Sequence, residues 1–137
     1  FHPVEILASM LYKIGIIFLL GPAPIAVLVF EAVLNGMALF SHSNIALPVK
    51  ADHFFRKLIV TPDMHRIHHS VEVSETNSNY GFNLSIWDRI FGTYKEEALK
   101  SQPEIVIGID TFRSPNELTF YNLLIMPKKY GKLTYVT

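Results

Sequence analysis

Hydrophobic positions fall into two long blocks at the front of the chain, and only afterwards do polar and apolar residues mix. Val4 to Leu20 and Pro24 to Ser41 run with little polar interruption. Each block is close to the roughly 20 residues needed to cross a hydrocarbon core of about 30 Å. Between them stands Gly21-Pro22-Ala23-Pro24, a dense turn signal. The pattern predicts two helices joined by a tight turn, without the strongly periodic polar face of a soluble amphipathic helix. Within the second block Glu31, Asn35 and His42 share one side at 100° per residue. An ionisable group at the centre of a bilayer costs about 2.5–3.5 kcal/mol on insertion scales, so that side is expected to face protein or a wet cavity.

Beyond the second block the pattern shortens. Ser43 to Lys50 reads as a loop, and Asp52 to Val60 as a short amphipathic helix suited to a membrane interface or a protein surface. Thr61, Pro62 and Asp63 write a helix start: a capping hydroxyl, a proline at the first position and an acid at the positive dipole end. Residues 70–79 are polar and loop-like, whereas Phe82 to Phe91 is aromatic, with Trp87 suited to an interface belt. Ile105 to Ile109 is a short, mostly β-branched run. A further helix is expected from Pro115 to Met126, stopped by Pro127, with Lys128 to Thr137 a loosely ordered basic and aromatic end.

Charge sharpens the division. The 137 residues carry 12 basic and 12 acidic side chains, but residues 1–49 hold only Glu5, Lys13 and Glu31. A balanced net charge lacks the basic face of an electrostatic nucleic-acid binder, so nucleic acid is not expected as a partner. Lys50, Arg56, Lys57 and Arg66 follow the second block while the turn is uncharged. By the positive-inside rule this places the tail in the cytoplasm and the turn across the membrane. The fold expected is mainly α: an integral-membrane helical hairpin over residues 1–49, then a cytoplasmic histidine-rich helical cap over 50–137. No basic region precedes the apolar blocks, as a signal peptide would require. The chain begins with Phe1 rather than Met, which suggests part of a longer protein.

Cysteine is absent, so thiolate zinc sites, iron–sulfur ligation and disulfides are excluded, and any metal must be held by imidazole, carboxylate or amide groups. The sharpest group is His65-Arg66-Ile67-His68-His69. On a helix, residues three and four apart share a face, so His65 meets both His68 and His69. His68 and His69 diverge by about 100° and could serve two different ions. Imidazole ligation suits iron, copper, nickel or zinc alike. Asp63, Asn79 and Asp88 are candidates to fix imidazole tautomers through hydrogen bonds.

The stretches TPDMHRIHHS (Thr61 to Ser70) and SNYGFNLSIWDRIFGTY (Ser78 to Tyr94) closely resemble the fatty acid hydroxylase/sterol desaturase superfamily. FHPVEI at the start, LFSHSN (Leu39 to Asn44) and GIDTFRSPNEL (Gly108 to Leu118) fit the same pattern, so the resemblance covers essentially the whole chain. It implies an integral-membrane enzyme with a non-haem di-iron centre, two iron ions held by histidine clusters on the cytoplasmic side. O₂ would be co-substrate and an electron donor of the cytochrome b5, ferredoxin or reductase type a partner. The substrate would be a membrane lipid, such as a sterol or a fatty acyl chain, to be hydroxylated or desaturated. Carried over by position, His65, His68 and His69 are metal ligands, as are His42 and, at the FHP position, His2; His53 matches no histidine of the pattern. The family's earlier histidine clusters are absent and would lie upstream of Phe1. The alternative is a non-catalytic membrane metal-binding or transport protein.

Overall fold

The computed structural model describes residues 2–109 and 112–130. Seven α-helices appear among them: α1 (Pro3–Leu20), α2 (Pro24–Ser41), α3 (Val49–Phe55), α4 (Pro62–His68), α5 (Val73–Thr76), α6 (Ile86–Phe91) and α7 (Phe120–Tyr130). The described residues form no strand, only isolated bridges from Ile59 to Leu84 and from Ser70 to Ile107. The fold is therefore mainly helical, and α1 and α2 are both long and apolar enough to cross a membrane.

The chain divides into two compact units, Pro24–Ile109 and Phe1–Ala23 with Asp110–Thr137. In the second of these, α1 starts at His2, whose Nδ1 accepts the Val4 N–H, and stops at Gly21, which takes the left-handed conformation (φ 58°). A glycine there carries no Cβ penalty.

In the unit that begins at Pro24, α2 packs on α4. Of its seven less exposed residues, Val27, Glu31, Leu34, Ala38 and Ser41 follow a 4-3-4-3 spacing, one stripe of a helix, and Met37 and Phe40 widen it near the end. Glu31 of the expected polar side belongs to this stripe, while Asn35 is exposed and donates to the Glu31 carbonyl at 2.7 Å. The fully buried apolar side chains Val60, Met64 and Ile67 cluster on and just before α4, and buried polar groups supply much of the remaining interior. Buried polar groups persist only when bonded, and here they tie loops to helices. Asn79 donates to the carbonyls of Met64 and Lys95 and accepts the Lys95 N–H. Asp88 accepts from the Gly81 N–H and the Thr93 hydroxyl. Arg56, paired with Asp52, donates to the Glu96 carbonyl at 2.7 Å, while Ser85 donates to the Arg56 carbonyl.

Three elements depart from the sequence expectation. The helix expected over Asp52 to Val60 runs instead over Val49–Phe55. Backbone bonds from Val60 to Asn83 and from Ser85 to Leu58 draw the following residues out of the helix to pair with the 83–85 segment. The polar 70–79 stretch contains the single turn of α5, its end tied down by the Thr76 hydroxyl on the His68 carbonyl. The late helix begins at Phe120, because residues 114–119 close turns of their own, and passes through Pro127, which costs the helix one N–H bond and crowds the carbonyl four residues back without ending it. Residues 131–137 of the expected loose end lie outside the described residues.

Candidate metal centre

α4 is only seven residues long, and its ends are secured from outside. Thr61 caps the start by accepting the Met64 N–H. Near its C-terminus the carbonyls of Met64, His68 and His69 accept from Asn79, Thr76 and the Gly108 N–H, respectively. These bonds anchor the end of α4 to α5 and to two loop segments. Arg66 adds a fourth tie, donating to Asp63 at 3.0 Å and to Gln102 at 3.1 Å.

His65 and His69 lie one turn apart on α4, and His42 follows the last residue of α2. The three Nε2 atoms form a nearly equilateral triangle: 3.2 Å from His42 to His65, 3.2 Å from His42 to His69 and 3.1 Å from His65 to His69. Among the described residues these three ligand atoms make the group that can hold a metal ion. Edges of that length match an ion with M–N bonds of about 2.0–2.1 Å and angles near 100°. The protonation chemistry fits as well. His42 Nδ1 sits 2.8 Å from the Ala38 carbonyl, which can only accept, so the proton is on Nδ1 and the Nε2 lone pair faces the triangle. Burial, reinforced by His69, His42 and His68, pushes the His65 imidazole down to about 3, and His69 is lowered chiefly by burial too. With all three Nε2 atoms unprotonated, the state that ligates a metal, the converging lone pairs repel one another unless a cation stands between them. Because α2 and α4 both end at the site, the partial negative charge of two helix C-termini also favours that cation.

His68 does not join the triangle. Its Nδ1 donates to the Ser78 carbonyl at 2.9 Å, which leaves an Nε2 lone pair, and its ring lies 5.3 Å from that of His69 and 5.4 Å from that of Tyr80. His2 caps α1, with Nδ1 accepting from Val4 and Nε2 donating to the Leu124 carbonyl at 3.0 Å. His53 is an exposed partner of Glu96. Asp63, Asn79 and Asp88 bond to Arg66, to backbone groups and to Gly81 and Thr93, respectively, not to imidazole nitrogens. The groups that do orient imidazoles are the carbonyls of Ala38 and Ser78. The first was legible as a histidine in the last turn of a helix bonding back four residues; no local pattern marks the second.

Two recesses lie in the same unit, one at the imidazoles and one farther back along α2. One of about 460 Å³ is walled by His42, His69, Ser43, Asn44 and Arg66. The other, also about 460 Å³, is apolar and runs between Val33, Leu34 and Met37 of α2 and Ile59, Phe82 and Trp87.

The chain is mainly helical, with two apolar helices long enough to cross a membrane and a group of three imidazoles that can hold a metal ion. More specifically, the chain belongs to the fatty acid hydroxylase family, whose model matches residues 1–93. It is 37% identical over 103 residues to the ornithine lipid hydroxylase OlsE of Rhizobium tropici, covering 71% of this chain and 30% of that protein. It is also 36% identical over 66 residues to the alkylglycerol monooxygenase of Homo sapiens, covering 48% of this chain and 15% of the relative. The Xenopus tropicalis alkylglycerol monooxygenase is 40% identical over 55 residues, 40% of this chain and 12% of its own. The chain thus spans less than a third of the length of these relatives. No solved structure matches it.

Proposed function

We propose that this chain carries part of the iron centre of a membrane lipid hydroxylase, and that its activity is O₂-dependent oxygen insertion into a lipid. The observation that carries the reading is the convergence of the His42, His65 and His69 Nε2 atoms. These three residues hold one iron ion, and the Nε2 lone pair of His68 is directed to a second. Iron, rather than redox-inert zinc, supplies the means to let O₂ oxidise an unactivated C–H bond with electrons from a donor protein. The protein's own part is positioning. The Ala38 and Ser78 carbonyls keep the proton on Nδ1 of His42 and His68, so that neither ring turns. The apolar recess at Val33–Met37, about 8–14 Å along α2 from His42 at 1.5 Å per residue, receives the lipid tail. The names of both kinds of relative denote oxygen insertion, which favours hydroxylation over desaturation.

In this reading α1 and α2 span the membrane with the histidines on the cytoplasmic face. Arg56 is buried against Asp52, so exposed Lys50 and Lys57 bear most of the topological signal near α2. The test is iron content and lipid hydroxylation of the complete enzyme that contains this chain, in membranes supplied with O₂ and a reductant. His65→Ala and His69→Ala should lose both; hydroxylation retained in both variants, or a wild-type protein holding metal without oxidising lipid, overturns the reading.

A further inference from the structure

α7 turns its apolar side outward. At 100° per residue from Phe120, the half-buried Asn122, Ile125 and Met126 fall between about 140° and 240°. Leu123, Pro127, Phe120 and Leu124 fill the opposite side, with Lys128 and Tyr121 at its edge, and all six are exposed. Phe120 is 77% exposed and Leu123 42%. A helix on a water-facing surface has the reverse arrangement.

The position of α7 within its unit says what covers that side. The Leu124 carbonyl accepts from His2 Nε2, and His2 is the N-cap of α1. α7 is therefore fastened at the end of an 18-residue apolar helix that has no buried residue of its own. An apolar recess of about 470 Å³ lies between His2 and Pro3 on one side and Phe120, Leu123, Leu124 and Pro127 on the other, with Met126 of the inner side also reaching it. The exposed start of α1 and the apolar side of α7 thus line one recess. Tyr121 and Lys128 at the rim are the residue types that place an aromatic ring and a snorkelling ammonium at headgroup level.

We infer that α7 is an interfacial anchor, lying in the headgroup–acyl boundary of the bilayer at the N-terminal end of α1 with Leu123, Pro127, Phe120 and Leu124 toward the acyl chains. This rests on the membrane-spanning reading of α1 given above, and α7 lies beyond the residues the family model matches.

The chain has no cysteine, so single spin labels can be placed by substitution alone. Leu11→Cys in α1, Leu123→Cys and Phe120→Cys on the outward side of α7, Asn122→Cys on its inner side and Ser74→Cys in α5 are labelled with a nitroxide. The full chain is then reconstituted in phosphatidylcholine vesicles, and collisions with O₂ and with a water-soluble nickel complex are measured. The anchor predicts that Leu123 and Phe120 resemble Leu11, with an O₂-to-nickel accessibility ratio several-fold above that at Ser74, and that Asn122 is shielded relative to both. If Leu11 reports lipid while Leu123 and Phe120 report water, the anchor is wrong and the spanning reading stands. If Leu123 and Phe120 are closed to both reagents, a protein surface covers α7 and the anchor is wrong. If Leu11 itself reports water, the spanning reading fails and the anchor with it.

Discussion

Gly81 and Asp88 are in contact so close that no side chain fits at residue 81: a Cβ built there would stand 2.6 Å from Asp88 Oδ2 and 2.9 Å from the Leu84 carbonyl. The same oxygen accepts the Gly81 N–H at 2.9 Å. Gly81→Ala must displace the carboxylate and break that bond. Overpacking typically costs about 1–3 kcal/mol, and a lost buried hydrogen bond adds to it. Thermal unfolding of Gly81→Ala in detergent should show a clear fall in midpoint. An unchanged midpoint would mean that Asp88 moves freely and is not part of the rigid frame.

The Nε2 triangle should bind one divalent ion in the 137-residue chain itself. Cobalt(II) titration read by its visible absorption should saturate near one equivalent, and His42→Ala, His65→Ala and His69→Ala should each weaken binding by at least an order of magnitude. Glu31→Gln should leave it unchanged, because Glu31 lies about 16 Å from His42 along α2 at 1.5 Å per residue. Equal loss in Glu31→Gln and His42→Ala would refute the depth argument.

Asn79 sits in the left-handed region at φ 49° and grips α4 through the Met64 carbonyl, one residue before His65. Asn79→Ala strands the Met64 and Lys95 carbonyls and the Lys95 N–H. A buried orphan costs about 1–3 kcal/mol; the Met64 bond is buried and the two to Lys95 part-buried, so destabilisation on the order of 3 kcal/mol is expected. Cobalt affinity should fall as α4 loosens, although Asn79 touches no ligand nitrogen. Wild-type affinity in a destabilised Asn79→Ala would show that the frame and the site are independent.

His65 gives the metal-free protein a pH dependence of definite sign. Unfolded, its imidazole takes up a proton near 6.5; folded, burial holds it neutral down to about 3. Below 6.5 the unfolded state binds more protons, so stability rises with pH across that window and this contribution levels off above it. Unfolding of the chelated protein should therefore weaken steadily as pH falls from 6.5 toward 3. His65→Gln, which cannot titrate, should flatten the upper part of that slope; an unaltered slope would locate the effect elsewhere.

Cysteines introduced at Ile25, the start of α2, and at Ser74 in α5 should react with a membrane-impermeant reagent from opposite sides of sealed vesicles. Reaction from one side would refute the spanning reading of α2.

Much of the candidate site was legible in local sequence because its geometry is local. The facing of His65 and His69 follows from a spacing of four on a helix, and the start of that helix from Thr61 and Pro62. The two long apolar helices, with a break ending at Pro24, follow from hydropathy and turn chemistry, which need no partner. Tertiary structure decided the rest. His42 meets His65 across 23 residues only because the end of α2 packs on α4. No local pattern encodes that distance. His68 shares the motif but leaves the triangle, because the Ser78 carbonyl, ten residues on, captures its Nδ1. Asn79 and Asp88 looked like partners for imidazoles by residue type, yet their amide and carboxylate are consumed by backbone groups and by Thr93 that the folded loops bring to them. A side chain's chemistry is written in its residue type; which donor reaches it first is settled by packing.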